Sequence, residues 1–197
     1  MKNEERRELT IGQLLKAAKE LVLEKGCDAI TMKDIMDQSG LTKGAIFHYV
    51  KSKDEIFAWV LQEKLEETNQ HFLNEVRQKP ATFEGPMQAI AQNLASMENS
   101  DDVTNKVLVY LLGKENNPAV AEVLQKFYEK ALSLSLQWIT AGQQHGVIPE
   151  SVDPQKTSEL FVLMSIGLRV RSTFSPPKAD SYTAQDLSAF IAASLKA

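Results

Sequence analysis

The chain has a single cysteine, Cys27, in 197 residues. An internal disulfide is therefore excluded, and a reducing compartment is the natural setting. Two readings of the thiol stand side by side: a redox sensor, or a small buried hydrophobe. There is no second cysteine to resolve an oxidised form. Long apolar runs are missing too. None reaches the roughly 18–20 residues that span a bilayer, and the first residues are too charged for a signal peptide. The expectation is a cytoplasmic protein with no membrane partner. Nowhere do apolar residues alternate as a half-buried strand requires. Catalytic signatures are lacking as well: no Gly-rich phosphate loop, no nucleophile elbow and no zinc-ligand spacing. His48, His71 and His145 are scattered as surface polar residues rather than grouped as ligands. No enzyme activity, cofactor or metal is expected.

What is present is helical periodicity. The spacing predicts helices over about 9–25, from Lys53 to about Lys79, over 86–98, from Asp101-Asp102 to Leu112, from Pro118 to Gln144, across Leu160 to Val170, and over 184–196. Pro80 and Gly85-Pro86 are expected to separate the second and third of these. Lys2, Arg6 and Arg7 read either as an arm toward a polyanion or as a solvated tail.

Between the first two helices, residues 31–50 form the segment that organises the chain. Thr31 can cap a short helix, with Asp34 three residues on. Ser39-Gly40-Leu41 is a tight turn in which Gly40 supplies positive φ. Thr42 caps a second short helix, and Ser52 with Glu55 caps the next. Ile35, Leu41, Ile46 and Val50 are spaced to meet inside. Two helices joined by such a turn make a helix-turn-helix.

Lys33, Lys43 and Lys53 each fall in the first turn of a predicted helix. Cations there oppose the macrodipole, which makes sense if an external polyanion sits against those ends. Gly44 and Ala45 keep the second helix thin enough to lie near a groove floor, and His48 and Tyr49 can donate to phosphate or base. Charge is divided in the same sense. Residues 1–53 hold ten Lys or Arg against eight Asp or Glu, the remainder twelve against eighteen. A mildly basic end on an acidic body suits a localised DNA-reading head.

At these residues the chain resembles the TetR family of bacterial transcriptional regulators. The pattern appears as Gly26, Thr31, Ile35, Ser39-Gly40-Leu41-Thr42, Lys43-Gly44, Phe47-His48-Tyr49-Val50 and Lys53. Ser39 stands where the family usually has Ala, Phe47 for Tyr, Val50 for Phe, and Cys27 for an aromatic. Gly142, Gly146-Val147-Ile148-Pro149 and Val152-Asp153-Pro154 resemble a loop seen in the family's ligand domains.

The resemblance implies an all-α fold: a DNA-binding domain over 8–68, with its motif at 31–50, joined by a long helix to an effector-binding and dimerisation domain over 69–197. Thr31, Lys33, Thr42, Lys43, Gly44, Ala45, His48, Tyr49 and Lys53 are the expected contacts to double-stranded DNA. Met87, Met97, Tyr110, Trp138, Phe161, Met164 and Arg169, with Arg171 as the alternative cation, are candidates for a pocket taking a small hydrophobic effector. Plain core packing is the other reading of the apolar ones, and a snorkelling helix end that of the arginines. Leu160, Leu163, Gly167, Leu187, Phe190 and Ile191 are the expected homodimer interface. The implied function is a repressor released from a palindromic operator by its effector. A helical protein whose chief activity is binding a ligand or partner is the alternative.

Overall fold

A computed structural model describes residues 3–76, 82–174, 178 and 180–196. Its described elements are all helices: α1 (Asn3–Lys25), α2 (Met32–Ser39), α3 (Lys43–Phe47), α4 (Lys53–Val76), α5 (Glu84–Met97), α6 (Val103–Leu112), α7 (Pro118–Gln144), α8 (Pro154–Ser172) and α9 (Ala184–Ser194). The predicted all-α class holds, with differences at the ends. α1 begins at Asn3 rather than Leu9, so Arg6 and Arg7 sit on an exposed helical turn; the arm proposed to include Lys2 falls partly outside the described residues. The expected stop at Pro80 lies outside them too. Gly85 and Pro86 do not break a helix but fall in the first turn of α5, where a missing N–H leaves no intrahelical bond unmade.

The caps explain most boundaries. Thr31 and Asp34 form a reciprocal capping box at α2, the Thr31 hydroxyl accepting from Asp34 N at 3.2 Å while the Asp34 carboxylate accepts from Thr31 N at 2.8 Å. Gly40 ends α2 at φ 68°, a left-handed geometry that glycine adopts without a Cβ penalty. Thr183 and Asp186 close a second such box at α9, while the side chains of Thr42, Asp102, Asn117 and Asp153 accept backbone N–H groups at the starts of α3, α6, α7 and α8. Ser52 accepts from Glu55 N at 3.3 Å, but the Glu55 carboxylate accepts from Lys51 N rather than closing a box on Ser52.

Two apolar cores result. One gathers Ile35, Ile46 and Val50 with Leu14, Val22, Ile30, Ile56, Phe57 and Leu61, and continues into Val107, Leu108 and Leu111 of α6 and Val120 and Phe127 of α7. The other joins α5, α8, α9 and the C-terminal half of α7 through Met87, Leu94, Ile139, Phe161, Leu168, Leu187 and Ile191. The expected boundary near residue 68 falls inside α4, and the first core reaches well past it. No described helix is long and apolar enough to cross a membrane.

Candidate nucleic-acid interface and ligand cavity

The head presents its short helices outward. Lys33, Thr42, Lys43, Gly44 and His48 are exposed, Ala45 and Tyr49 half-buried. Thr42 accepts from Ala45 N at 3.3 Å, which fixes the start of α3. A Cβ on Gly44 would meet nothing within 4 Å, so the surface there is open. Lys43 lies with its Nζ 5.8 Å from the centroid of the Phe47 ring, itself 42% exposed. The His48 and Tyr49 rings meet edge-on at 4.8 Å. Of the head's cations, Lys19 pairs with Glu63 and Lys25 with Asp34 at 3.0 Å. Among the described residues Lys33, Lys43 and Lys51 have no such carboxylate. Lys51 was not picked out in the sequence because it precedes a cap rather than opening a helix.

Lys53 departs from expectation. Its amino group donates to three backbone carbonyls, those of Cys27 at 2.9 Å, Asp28 at 3.1 Å and Ile30 at 2.7 Å. An ammonium has three N–H groups, so all are engaged. Burial, with Lys114 nearby, pulls its pKa below the usual lysine range. Lys53 thus ties the first turn of α4 to the loop after α1, instead of reaching for a phosphate. Cys27 beside it is buried, and desolvation pushes its thiol up to about 11. A protonated, buried thiol is a poor nucleophile, so packing is the role its surroundings support.

The second core encloses a cavity of about 150 Å³. Met87, Met97, Trp138, Phe161 and Arg169 line it as expected. Tyr110 does not: its hydroxyl donates to Asp54 Oδ1 at 2.9 Å and meets Lys114, bracing α6 against the first turn of α4. Met164 packs on this core without lining the cavity. Arg171 is also elsewhere, donating to Glu98 Oε1 at 2.9 Å and to Tyr182 O at 2.6 Å. The walls are mostly apolar, with Phe72 stacked on Trp138 at 4.5 Å, and α4 contributes Leu65, Thr68 and Phe72.

Arg169 is only 5% exposed. Its Nη1 donates to Asn105 Oδ1 at 2.6 Å and lies 3.8 Å from Asp102 Oδ1. Asn105, fully buried, donates in turn to Met97 O, Asn99 O and Ser172 Oγ at 2.8–3.2 Å. Sequence reading passed over Asn105. Its one signal was its place three residues after the cap Asp102, which says nothing of a partner 64 positions away.

The expected interface residues divide. Leu160, Leu163, Gly167 and Phe190 are exposed, Leu163 at 53%. Leu187 and Ile191 are each 3% exposed and belong to the chain's own second core. With Ala184 and Leu195 they form the apolar stripe of α9, spaced three to four residues apart, that packs into the second core.

Residues 14–60 match the family model for bacterial regulatory proteins, tetR family. The chain is 25% identical over 175 residues to the uncharacterized HTH-type transcriptional regulator YfiR of Bacillus subtilis, covering 85% of this chain and 82% of that one. Among solved structures it is similar to Salmonella enterica GusR, with TM-score 0.68 and 20% identity over 95% of this chain and 96% of that chain. It is also similar to SmeT of Stenotrophomonas maltophilia in a triclosan complex, with TM-score 0.68 and 18% identity over 93% and 89%. With a helix-turn-helix head that matches the tetR family model over residues 14–60 and an all-helical body, the chain is similar to DNA-binding transcriptional regulators of the TetR family.

Proposed function

We propose that the chain is a homodimeric repressor that leaves a palindromic operator when a small, largely hydrophobic effector enters the cavity. One observation carries this reading. A single helix, α4, supplies Ile56, Phe57 and Leu61 to the head's core and Leu65, Thr68 and Phe72 to the cavity wall. Packed helices move as stiff rods, so a guest that displaces the cavity end of α4 also displaces the head. In a two-fold dimer the recognition helices must enter major grooves about one turn apart, ~34–36 Å. A shift of a few ångströms would spoil that fit. The exposed Leu160, Leu163, Gly167 and Phe190 supply an apolar surface for the second copy. SmeT, with the same fold, was solved with triclosan, a precedent for a small-molecule guest.

In this reading Lys43, Gly44 and Ala45 approach bases, while Lys33, Thr42, His48 and Tyr49 meet the phosphate backbone; the expected phosphate contact of Thr31 gives way to its capping role, since its N–H and hydroxyl both donate to Asp34. The test begins by selecting bound DNA from a random pool and finding a ligand that raises the melting temperature of the free protein. Its affinity is then measured with and without the selected operator. Linkage requires that a releasing ligand bind the DNA complex more weakly, by ~1–3 kcal/mol. Equal affinities for every ligand of the cavity would end the inducible-repressor reading.

A further inference from the structure

The cavity wall contains one buried charge. Arg169 has five N–H donors in a rigid fork. Only Nη1 has a hydrogen-bond acceptor among the described residues, Asn105 Oδ1. Yet no buried side-chain nitrogen or oxygen among them is sealed away without a partner. The remaining donors therefore keep some accessible surface, and Arg169 is a lining residue of the cavity. Burial lowers the guanidinium pKa to about 10 while Asp102 opposes the shift, so the group is charged at neutral pH. Asp102 Oδ1 supplies charge at 3.8 Å but lies beyond hydrogen-bond reach, so a desolvated cation with unused donors stays beside an apolar void unless an anion meets those donors. A bracing role for Arg169 accounts for Nη1 alone.

We propose that the effector is a monocarboxylate amphiphile whose head is held by Arg169 and whose apolar body lies along α5 toward Phe83. This rests on the effector reading above. A carboxylate matches the fork in shape and charge. The wall's other ionisable residues, Lys64 and His145, are half-buried and exposed, so the buried end supplies one cation, suited to a monoanion. From Met97 at the Arg169 end to Phe83, the lining face of α5 extends fourteen residues at 1.5 Å each, roughly 21 Å. The open volume of about 150 Å³ suits a guest the size of benzene. A longer body is accommodated by movement of Met87 and Met97, whose unbranched side chains repack readily.

The experiment is calorimetric titration of the full chain with octanoate, 1-octanol and octylammonium, which share a body and differ in head. Octanoate is expected to bind roughly ten- to a hundred-fold tighter than octanol, with octylammonium weakest. In Arg169→Gln the octanoate affinity falls to that of octanol, and octanol binding is unchanged. Arg169→Lys restores part of the preference. If Arg169→Gln does not fold, the wild-type series decides alone. Equal affinities for octanoate and octanol, tighter binding of octylammonium, or no binding by any of the three overturns the assignment. Octanoate preferred yet bound equally with and without operator supports the head-group assignment and removes the effector reading. Equal binding of octanoate and octanol, with both releasing operator, does the reverse.

Discussion

Three lysines open three successive helices, yet the structure gives them two different roles. Lys53 is engaged by the carbonyls of Cys27, Asp28 and Ile30, whereas Lys33 is exposed and has no carboxylate partner among the described residues. Lys53→Met should therefore cost about 1–3 kcal/mol in urea unfolding and leave the salt dependence of DNA binding unchanged. Lys33→Ala should do the opposite, lowering the log–log salt slope by roughly 0.9 per protomer with no change in melting temperature. A reduced slope in the Lys53 variant would return that residue to the phosphate contacts. Asp34 gives the head its acid response. The Thr31 hydroxyl, then Lys25 and the Thr31 backbone N–H, hold its carboxylate well below its usual range. Between the folded and unfolded pKa values the unfolded chain binds more protons, so stability falls as pH drops through that window. Asp34→Asn should flatten the stability–pH curve below about pH 4, as followed by circular dichroism.

At the level of helices, the turn after α7 shows how a local pattern serves packing. Gly146 lies at φ 68°, and Val147 N and Ile148 N both donate to Gly142 O, at 3.0 and 3.1 Å. Ile148 folds back over Gly142 so closely that an added Cβ would stand 2.4 Å from Ile148 Cδ1. Gly142→Ala should destabilise by about 1–3 kcal/mol through overpacking. Ile148→Ala, which removes both crowding carbons, should make the glycine substitution nearly neutral in its own background. A double-mutant cycle with no coupling between these sites would show that the loop simply moves aside. The same pair borders the cavity, so the loop closes one end of the wall that Trp138 and Phe161 build.

For the molecule as a whole, the two cores do not divide where the sequence pattern suggests. Val107, Leu108, Leu111, Val120 and Phe127 complete the head's core from α6 and α7. A fragment of residues 1–76 lacks all five. It should show little cooperative thermal unfolding by circular dichroism, and a sharp transition in the fragment would mean that the head's own helices suffice. The exposed side of α8 carries the prediction for assembly. Leu163→Glu should give a monomer by sedimentation, with helicity retained and operator affinity sharply reduced, since each head alone contacts one half-site. A variant that stays dimeric would place the interface elsewhere.

By itself the sequence determined whatever depends on neighbours along the chain. The caps at Thr31 and Thr42, the start of a helix at Asp101-Asp102, the left-handed turn at Gly40, and the inward set Ile35, Ile46 and Val50 were all legible. Helical spacing and side-chain hydrogen bonds within four residues are enough to specify them. Only the tertiary structure decided which cations are free, because the carbonyls that engage Lys53 lie 23–26 residues away. It alone removed Tyr110 from the cavity, engaging it with Asp54, and turned Leu187 and Ile191 into the chain's own core. Arg169 was legible as an arginine in an apolar helix, but its meaning depends on Asn105, Asp102 and the void beside it. Those relations arise when α6 and α8 come together, and no local pattern encodes the partners that packing brings within reach.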